Sequence, residues 1–235
     1  MLAGGVFRKR ALQILLVTIV LSLPPLLWVW QVSSHWMQER NSNIAAFAVH
    51  GGTSDPALAS VGIVGMNLVI SLQSIFSAFW NDPHVYNLAA FLTFIPILLV
   101  WAFVTLRSRP STRSALLALA SIAALSMLPV YHRQHDAKLL LLTVPACAML
   151  WAEGGLIGRL ALLVNGFAFL LTADLLWTIP VGLNASLHPS ATGILGKTLT
   201  AAQIFPVPII LLVLGIFYLW VYAQRYSPQD LTVVT

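Results

Sequence analysis

A chain of 235 residues that is 59% hydrophobic, has charge on only 8% of its positions and a mean hydropathy of +0.87 is too apolar for a water-soluble domain and has the composition of a multi-pass membrane protein. Its net charge of +5 arises from few charges, 12 Lys/Arg against 7 Asp/Glu, so the cations read as topology signals beside membrane helices and no nucleic-acid partner is expected. One cysteine, Cys147, excludes an intrachain disulfide or a cysteine metal cluster and reads as a small core residue.

After Phe7-Arg8-Lys9-Arg10, an apolar run over 11–30 is long enough to cross the hydrocarbon layer as a helix. It exceeds a usual signal-peptide core and no small-residue cleavage pattern follows, so it reads as an uncleaved first span with a cytoplasmic N-terminus. Pro24-Pro25 is expected to break or kink its outer end, and Trp28 and Trp30 suit the interface. Residues 31–56 hold Glu39, Arg40, Asp55 and Gly51-Gly52 and read as a water-facing loop. Over 58–80 the chain is apolar again, with Asn67, Ser71, Ser74 and Asn81 falling on a narrow arc of a helix. That pattern predicts an amphipathic helix at the interface or along a polar cavity.

Further spans are expected over 85–106, 114–131, 139–152, 160–181 and 204–222. The stretch 139–152 is short, with Pro145 inside it, and must be kinked, shallow, or extended by snorkelling ends such as Lys138 and Arg159. If 58–80 does not cross, Arg8, Lys9, Arg10, Arg107, Arg109, Arg113, Arg159 and Arg225 face the cytoplasm and Arg40, Arg133, Lys138 and Lys197 face outward, eight against four. If it crosses, the tally is six against six. The positive-inside rule selects the first arrangement. The expected fold class is therefore all-α, a polytopic transmembrane helix bundle of about six spans with one added interfacial or cavity-lining helix, forming a single integral domain over 1–235 of a plasma (inner) membrane, both termini cytoplasmic.

The densest polar stretch is Tyr131-His132-Arg133-Gln134-His135-Asp136-Ala137-Lys138, at the outer end of the third span. On a continuing helix, His132 and Asp136 would be four apart and Arg133 and Asp136 three apart, able to pair on one face. The remaining donors suit an anion, Arg especially a phosphate. The plain alternative is a short turn that keeps its charges in water. Asp174, inside the fifth span, is expensive at that depth and calls for a partner or a cavity. It is either an intramembrane polar site or a paired packing residue, and it motivates a transporter reading, against which no internal repeat is found. Asn165 reads as an interhelical hydrogen-bond partner. His35, His50, His84 and His188 lack metal-ligand spacing, so no metal and no other cofactor is expected. Asn184-Ala185-Ser186 fits a glycosylation sequon by pattern alone.

Pro129-Val130-Tyr131-His132-Arg133 followed by Asp136-Ala137-Lys138-Leu139-Leu140-Leu141-Leu142, with Pro145 beyond, resembles the C-terminal half of bacterial glycosyltransferase family 87 membrane proteins of the GT-C type. The upstream segments Asn67-Leu68-Val69-Ile70-Ser71-Leu72-Gln73-Ser74 and Asn81-Asp82-Pro83-His84-Val85-Tyr86-Asn87 are similar to the corresponding part of that family. The resemblance covers roughly 58–153. It implies transfer of a hexose or pentose from a polyprenyl-phosphate sugar donor to an extracytoplasmic lipid or glycan acceptor. His132, Arg133 and Lys138 would bind the donor phosphate, with His132 and Asp136 as catalytic candidates and Asp136 orienting the cations. The family's usual acidic residue lies in a first outer loop that nothing here matches. The base would then be Asp136, His132, Asp55 or Asp82, and the chain is expected to be a truncated product or one half of a split enzyme completed by a second chain. The alternative is a non-catalytic membrane subunit for lipid-phosphate binding or assembly.

Overall fold

The computed structural model describes residues 2–33, 35–47, 55–56, 69–129, 132–173 and 193–224. The chain forms two compact units, Met1–Val49 and His50–Thr235.

The first unit holds α1 (Leu2–Val32) and α2 (Trp36–Phe47). Pro24 and Pro25 lie inside α1, which continues through both rather than breaking at them. The carbonyls that lose an intrahelical N–H to the two prolines are those of Val20 and Leu21, four residues back, and one turn earlier Ser22 donates to the Thr18 carbonyl at 2.7 Å. The expected loop after the first span is in part helix: Trp36 N–H bonds to the Ser33 carbonyl at 3.3 Å, and the Ser33 hydroxyl donates to the Glu39 carboxylate at 3.3 Å, which sits in the first turn of α2 where negative charge is favoured. Leu16–Val32 and Trp36–Asn43 meet at a bend of 94°.

The second unit contains β1 (Val69–Ile70), α3 (Leu72–Ser77), α4 (Pro83–Arg107), α5 (Thr112–Leu125), β2 (His132–Arg133), a 3-10 helix (Gln134–Thr143), α6 (Val144–Glu153), α7 (Gly155–Thr172), α8 (Ile194–Ile204) and α9 (Pro206–Gln224). Half of the apolar stretch of α9 is buried, against 17% for α4 and 22% for α7, so α9 is the central helix. It packs most closely on α5 and α7. Small residues make that approach possible: Ala120 and Ala124 of α5 and Ala161 and Ala168 of α7 are fully buried, and Ser121 of α5 donates to the Gly215 carbonyl of α9 at 3.1 Å. Between α6 and α7 the turn needs Gly154 and Gly155, both at φ +76, and Gly158 lies so close that an added Cβ would stand 2.5 Å from the Leu150 carbonyl oxygen.

Among the described residues three helices, α4, α7 and α9, are long and apolar enough to cross a membrane, and a fourth crossing results if the bent pair Leu16–Val32 and Trp36–Asn43 counts as one span. On α4 the polarity is the reverse of a soluble helix: Leu92, Leu99 and Leu106, two turns apart, are 65%, 64% and 85% exposed, while Tyr86, Ala90, Phe94 and Val104 face inward. An outward leucine stripe of this kind on a helix of spanning length suits the hydrocarbon of a bilayer. The protein is a membrane-embedded helical bundle.

The remaining expected spans take other forms. The third, 114–131, ends as a helix at Leu125, and the chain turns so that 132–133 becomes a strand. The predicted helix over 58–80 is interrupted too: Val69–Ile70 is extended, Ser71 at φ −165 is the N-cap of α3, and the helix that follows has six residues. β-branched Val69 and Ile70 favour an extended strand, and the partner that satisfies their backbone is remote in sequence. Residues 57–68, with Asn67, lie outside the described residues. The short fourth segment gains reach from its geometry, since ten 3-10 residues and ten α residues span about 35 Å together, near the hydrocarbon thickness. Pro145 is in the first turn of α6 rather than mid-helix, where its missing N–H costs nothing, and it marks the change from 3-10 to α.

Candidate functional site at one end of the bundle

An ion pair between Arg113, at the start of α5, and Glu153, at the end of α6, fixes one end of the second unit. The 14 residues of α5 then carry the chain about 20 Å to the opposite end. There β1 and β2 pair antiparallel, Val69 opposite Arg133 and Ile70 opposite His132. The contact continues past the strands, because Leu72 N–H donates to the Leu128 carbonyl at 2.9 Å and the Gln73 amide Nε2 to the Pro129 carbonyl at 3.0 Å. Two polar stretches about sixty residues apart in sequence are thereby joined at one place.

His132 and Asp136 meet as expected, Nδ1 to Oδ2 at 3.3 Å, but through a strand leading into a 3-10 turn and not across one face of an α-helix. The imidazole is about a quarter exposed and the carboxylate 40% exposed. Lys138 is exposed, one turn further along. Arg133 is placed by its strand backbone; its side chain, like that of His135 and the whole of Tyr131 and Asp174, lies outside the described residues. The charge cluster that sequence alone assembles is thus partly assembled in space, around the His132–Asp136 pair.

A second acid sits at the same end. Asp55 is 2% exposed and accepts from the Tyr86 hydroxyl, at 3.4 Å from the first turns of α4. Its neighbour Pro56 offers its carbonyl to the Ser77 hydroxyl of α3 at 3.5 Å. Asp82, also considered as a base, is exposed and accepts the His84 N–H at 2.8 Å as the N-cap of α4 with Pro83 following, which occupies that carboxylate oxygen structurally. Glu39 belongs to the first unit. Lys197 of α8 donates to the Phe79 carbonyl at 2.9 Å, so a further cation lies against the end of α3.

Around α3 the polar groups are buried: Ser71, Gln73, Ser74 and Ser77 are all under one tenth exposed. Ser71 and Ser74 satisfy one another, Oγ to Oγ at 3.1 Å, and Ser77 donates to the Ser74 carbonyl at 2.7 Å. Gln73 differs, because its Oε1 has no hydrogen-bond partner among the described residues. A buried acceptor left in that state costs about 1–3 kcal/mol. The sequence reading missed Gln73 and Tyr86 as site residues, although the signal was present: Gln73 is a polar residue outside the arc that Ser71 and Ser74 suggested.

What holds the 3-10 helix in position is a polar seam inside the bundle. The Thr143 hydroxyl lies 2.5 Å from Asn165 Oδ1 and 2.7 Å from the Leu140 carbonyl, Asn165 Nδ2 donates to the Tyr218 hydroxyl at 2.5 Å and to the Ala161 carbonyl at 2.8 Å, and Tyr218 donates back to the Thr143 carbonyl at 3.5 Å. Asn165 is the interhelical partner its sequence position suggests, linking the 3-10 helix, α7 and α9. Asn165→Leu removes the amide that links the Thr143 and Tyr218 hydroxyls and is expected to lower stability by about 1–3 kcal/mol, read as a drop in detergent-solubilised thermal midpoint, with no effect beyond experimental error overturning the seam's role. Among the described residues no group of three His, Cys, Asp or Glu could hold a metal ion, and Cys147 is buried in the core.

Comparison with protein-family models, with curated proteins and with solved structures finds no match.

Proposed function

We propose that the protein binds a polyprenyl-phosphate sugar at this end of the bundle and transfers the hexose or pentose to a lipid or glycan acceptor. The observation that supports the reading is the antiparallel pairing of 69–70 with 132–133, because it anchors the cation-bearing stretch next to α3, whose Ser77 hydroxyl meets the Pro56 carbonyl beside the buried Asp55. In this reading His132, Arg133 and Lys138 bind the phosphate, and Asp136 orients His132. Negative charge grows on the leaving phosphate as the bond to the sugar breaks, and preorganised cations stabilise it most at that stage. In this reading Asp55, which the Tyr86 hydroxyl orients, takes the acceptor hydroxyl proton, while Asp136 serves His132 and Asp82 caps α4.

The same reading puts this end on the extracytoplasmic side of a plasma (inner) membrane, both termini inside and about six crossings in all. The charge tally supports it, as do the reach of the 3-10 helix joined to α6 and the shared end of Arg113 and Glu153 opposite the site.

The test uses spheroplasts and purified protein with farnesyl-phosphoryl mannose as a water-dispersible donor. Mannose transfer from externally added donor to membrane lipid or glycan is expected, and binding of farnesyl phosphate should fall about tenfold or more in Arg133→Ala. Binding of farnesyl phosphate no tighter than that of farnesol would remove the phosphate site. Tight binding without transfer would leave a lipid-phosphate-binding subunit in place of an enzyme.

A further inference from the structure

The end of the bundle opposite the site collects arginines. Arg107 closes α4, Arg109 lies in the turn between α4 and α5, Arg113 begins α5 and Arg159 stands one turn into α7. The Arg113–Glu153 ion pair joins the start of α5 to the end of α6, and the Gly154–Gly155 turn leads from there into α7, so all four belong to one end. Glu153 is the one acid of the second unit placed there among the described residues, since Asp55, Asp82 and Asp136 lie at the other end. Four cations therefore stand against one carboxylate, and that carboxylate is engaged with Arg113.

Two observations place this charge in a bilayer. The Arg107 guanidinium folds back along α4 and lies over the Phe103 ring, 4.3 Å from its centroid, one turn toward the hydrocarbon. Phe103 and Leu106 beside it are 52% and 85% exposed. The charge thus sits at the border of the apolar band, the depth at which lipid phosphates lie. Arg109 is exposed, and its backbone is fixed: the Ser114 hydroxyl donates to the Arg109 carbonyl at 3.0 Å, while the Ser111 and Ser114 hydroxyls each accept the other's backbone N–H, at 3.0 and 2.9 Å. A turn held in this way presents its arginine with little loop ordering on binding.

A planar guanidinium matches a pair of phosphate oxygens. The molecule that brings a phosphate to this depth, with acyl chains to cover Phe103 and Leu106, is a phospholipid. A zwitterionic headgroup would set its own cation among the arginines, so the net positive charge selects an anionic one.

We infer that the α4–α5 turn is a binding site for an anionic phospholipid of the leaflet at this end: Arg107 and Arg109 hold its phosphate, and an acyl chain lies along Phe103 and Leu106. Arg113 stays with Glu153, and Arg159 adds to the local field. The inference stands apart from the transferase reading, because none of these residues belongs to the donor site.

The test is lipid retention. The full chain is reconstituted in nanodiscs of phosphatidylglycerol and phosphatidylcholine mixed equally, released into detergent and weighed with its retained lipids by native mass spectrometry. Wild-type protein should retain phosphatidylglycerol over phosphatidylcholine by about tenfold or more. Arg107→Gln combined with Arg109→Gln should lower that ratio at least about fivefold. Arg109→Gln alone, in an exposed turn, should lower it about threefold and keeps the test decisive if the double variant does not fold. Lys197→Gln removes one charge at the other end and should leave the ratio unchanged. A wild-type ratio near one overturns the site, as does an undiminished ratio in Arg109→Gln. An equal fall in Arg109→Gln and Lys197→Gln would show attraction by overall charge in place of a site and overturns it too.

Discussion

Gly158→Val is expected to be the most damaging single substitution in the bundle. The added Cβ would stand 2.5 Å from the Leu150 carbonyl oxygen and 3.2 Å from the Trp151 Cα, both backbone atoms that cannot rotate away. The α6–α7 pair would have to separate, and with it the small-residue packing that lets helices associate where hydrocarbon offers no hydrophobic drive. A loss of about 2–3 kcal/mol or more follows from overpacking of this kind, seen as aggregation or a sharply lower thermal midpoint in detergent. Gly166→Ala is the matched control, since its Cβ meets nothing within 4 Å. That change should be neutral or stabilise by up to about 1 kcal/mol. Equal effects of the two substitutions would show that the α6–α7 approach does not govern folding.

Asp55→Asn is expected to have the largest effect on activity. The substitution is nearly isosteric and keeps an oxygen for the Tyr86 hydroxyl, so the fold and lipid-phosphate binding should be retained. What it removes is the carboxylate proposed as the base for the acceptor hydroxyl, and loss of a general base of this type costs about 10²–10⁴ in rate. In a mannose-transfer assay the effect should appear in kcat with little change in KM for the donor. Asp136→Asn should instead weaken donor binding, because its partner is His132. Transfer that survives Asp55→Asn within a few-fold would move the base elsewhere, with Asp136 the next candidate.

The separate behaviour of these two acids marks the limit of reading a site from spacing. His132 and Asp136 are close in sequence, and any helical or turn conformation between them keeps them near, so their pairing was legible although the expected α-helix was not formed. Asp55 and Tyr86 are 31 residues apart, and nothing local says that they meet. Gln73 falls in the stretch expected to be an amphipathic helix, and only the tertiary structure shows its bond to Pro129, 56 residues on. The strand pairing escaped for the same reason, since two-residue strands leave no periodic signal and exist only because each meets the other.

Composition and apolar run length by themselves determined that the protein is membrane-embedded and helical, because removing backbone from water leaves a helix as the form that satisfies its hydrogen bonds within a single segment. They also located the helices α4, α7 and α9, whose apolar runs match the bilayer in length. The tertiary structure alone decided where helices stop short, as α5 does at Leu125, and which polar residues share one end of the bundle. Those outcomes depend on hydrogen bonds between segments dozens of residues apart, and a buried donor or acceptor finds its partner in space with no regard to its place in the chain.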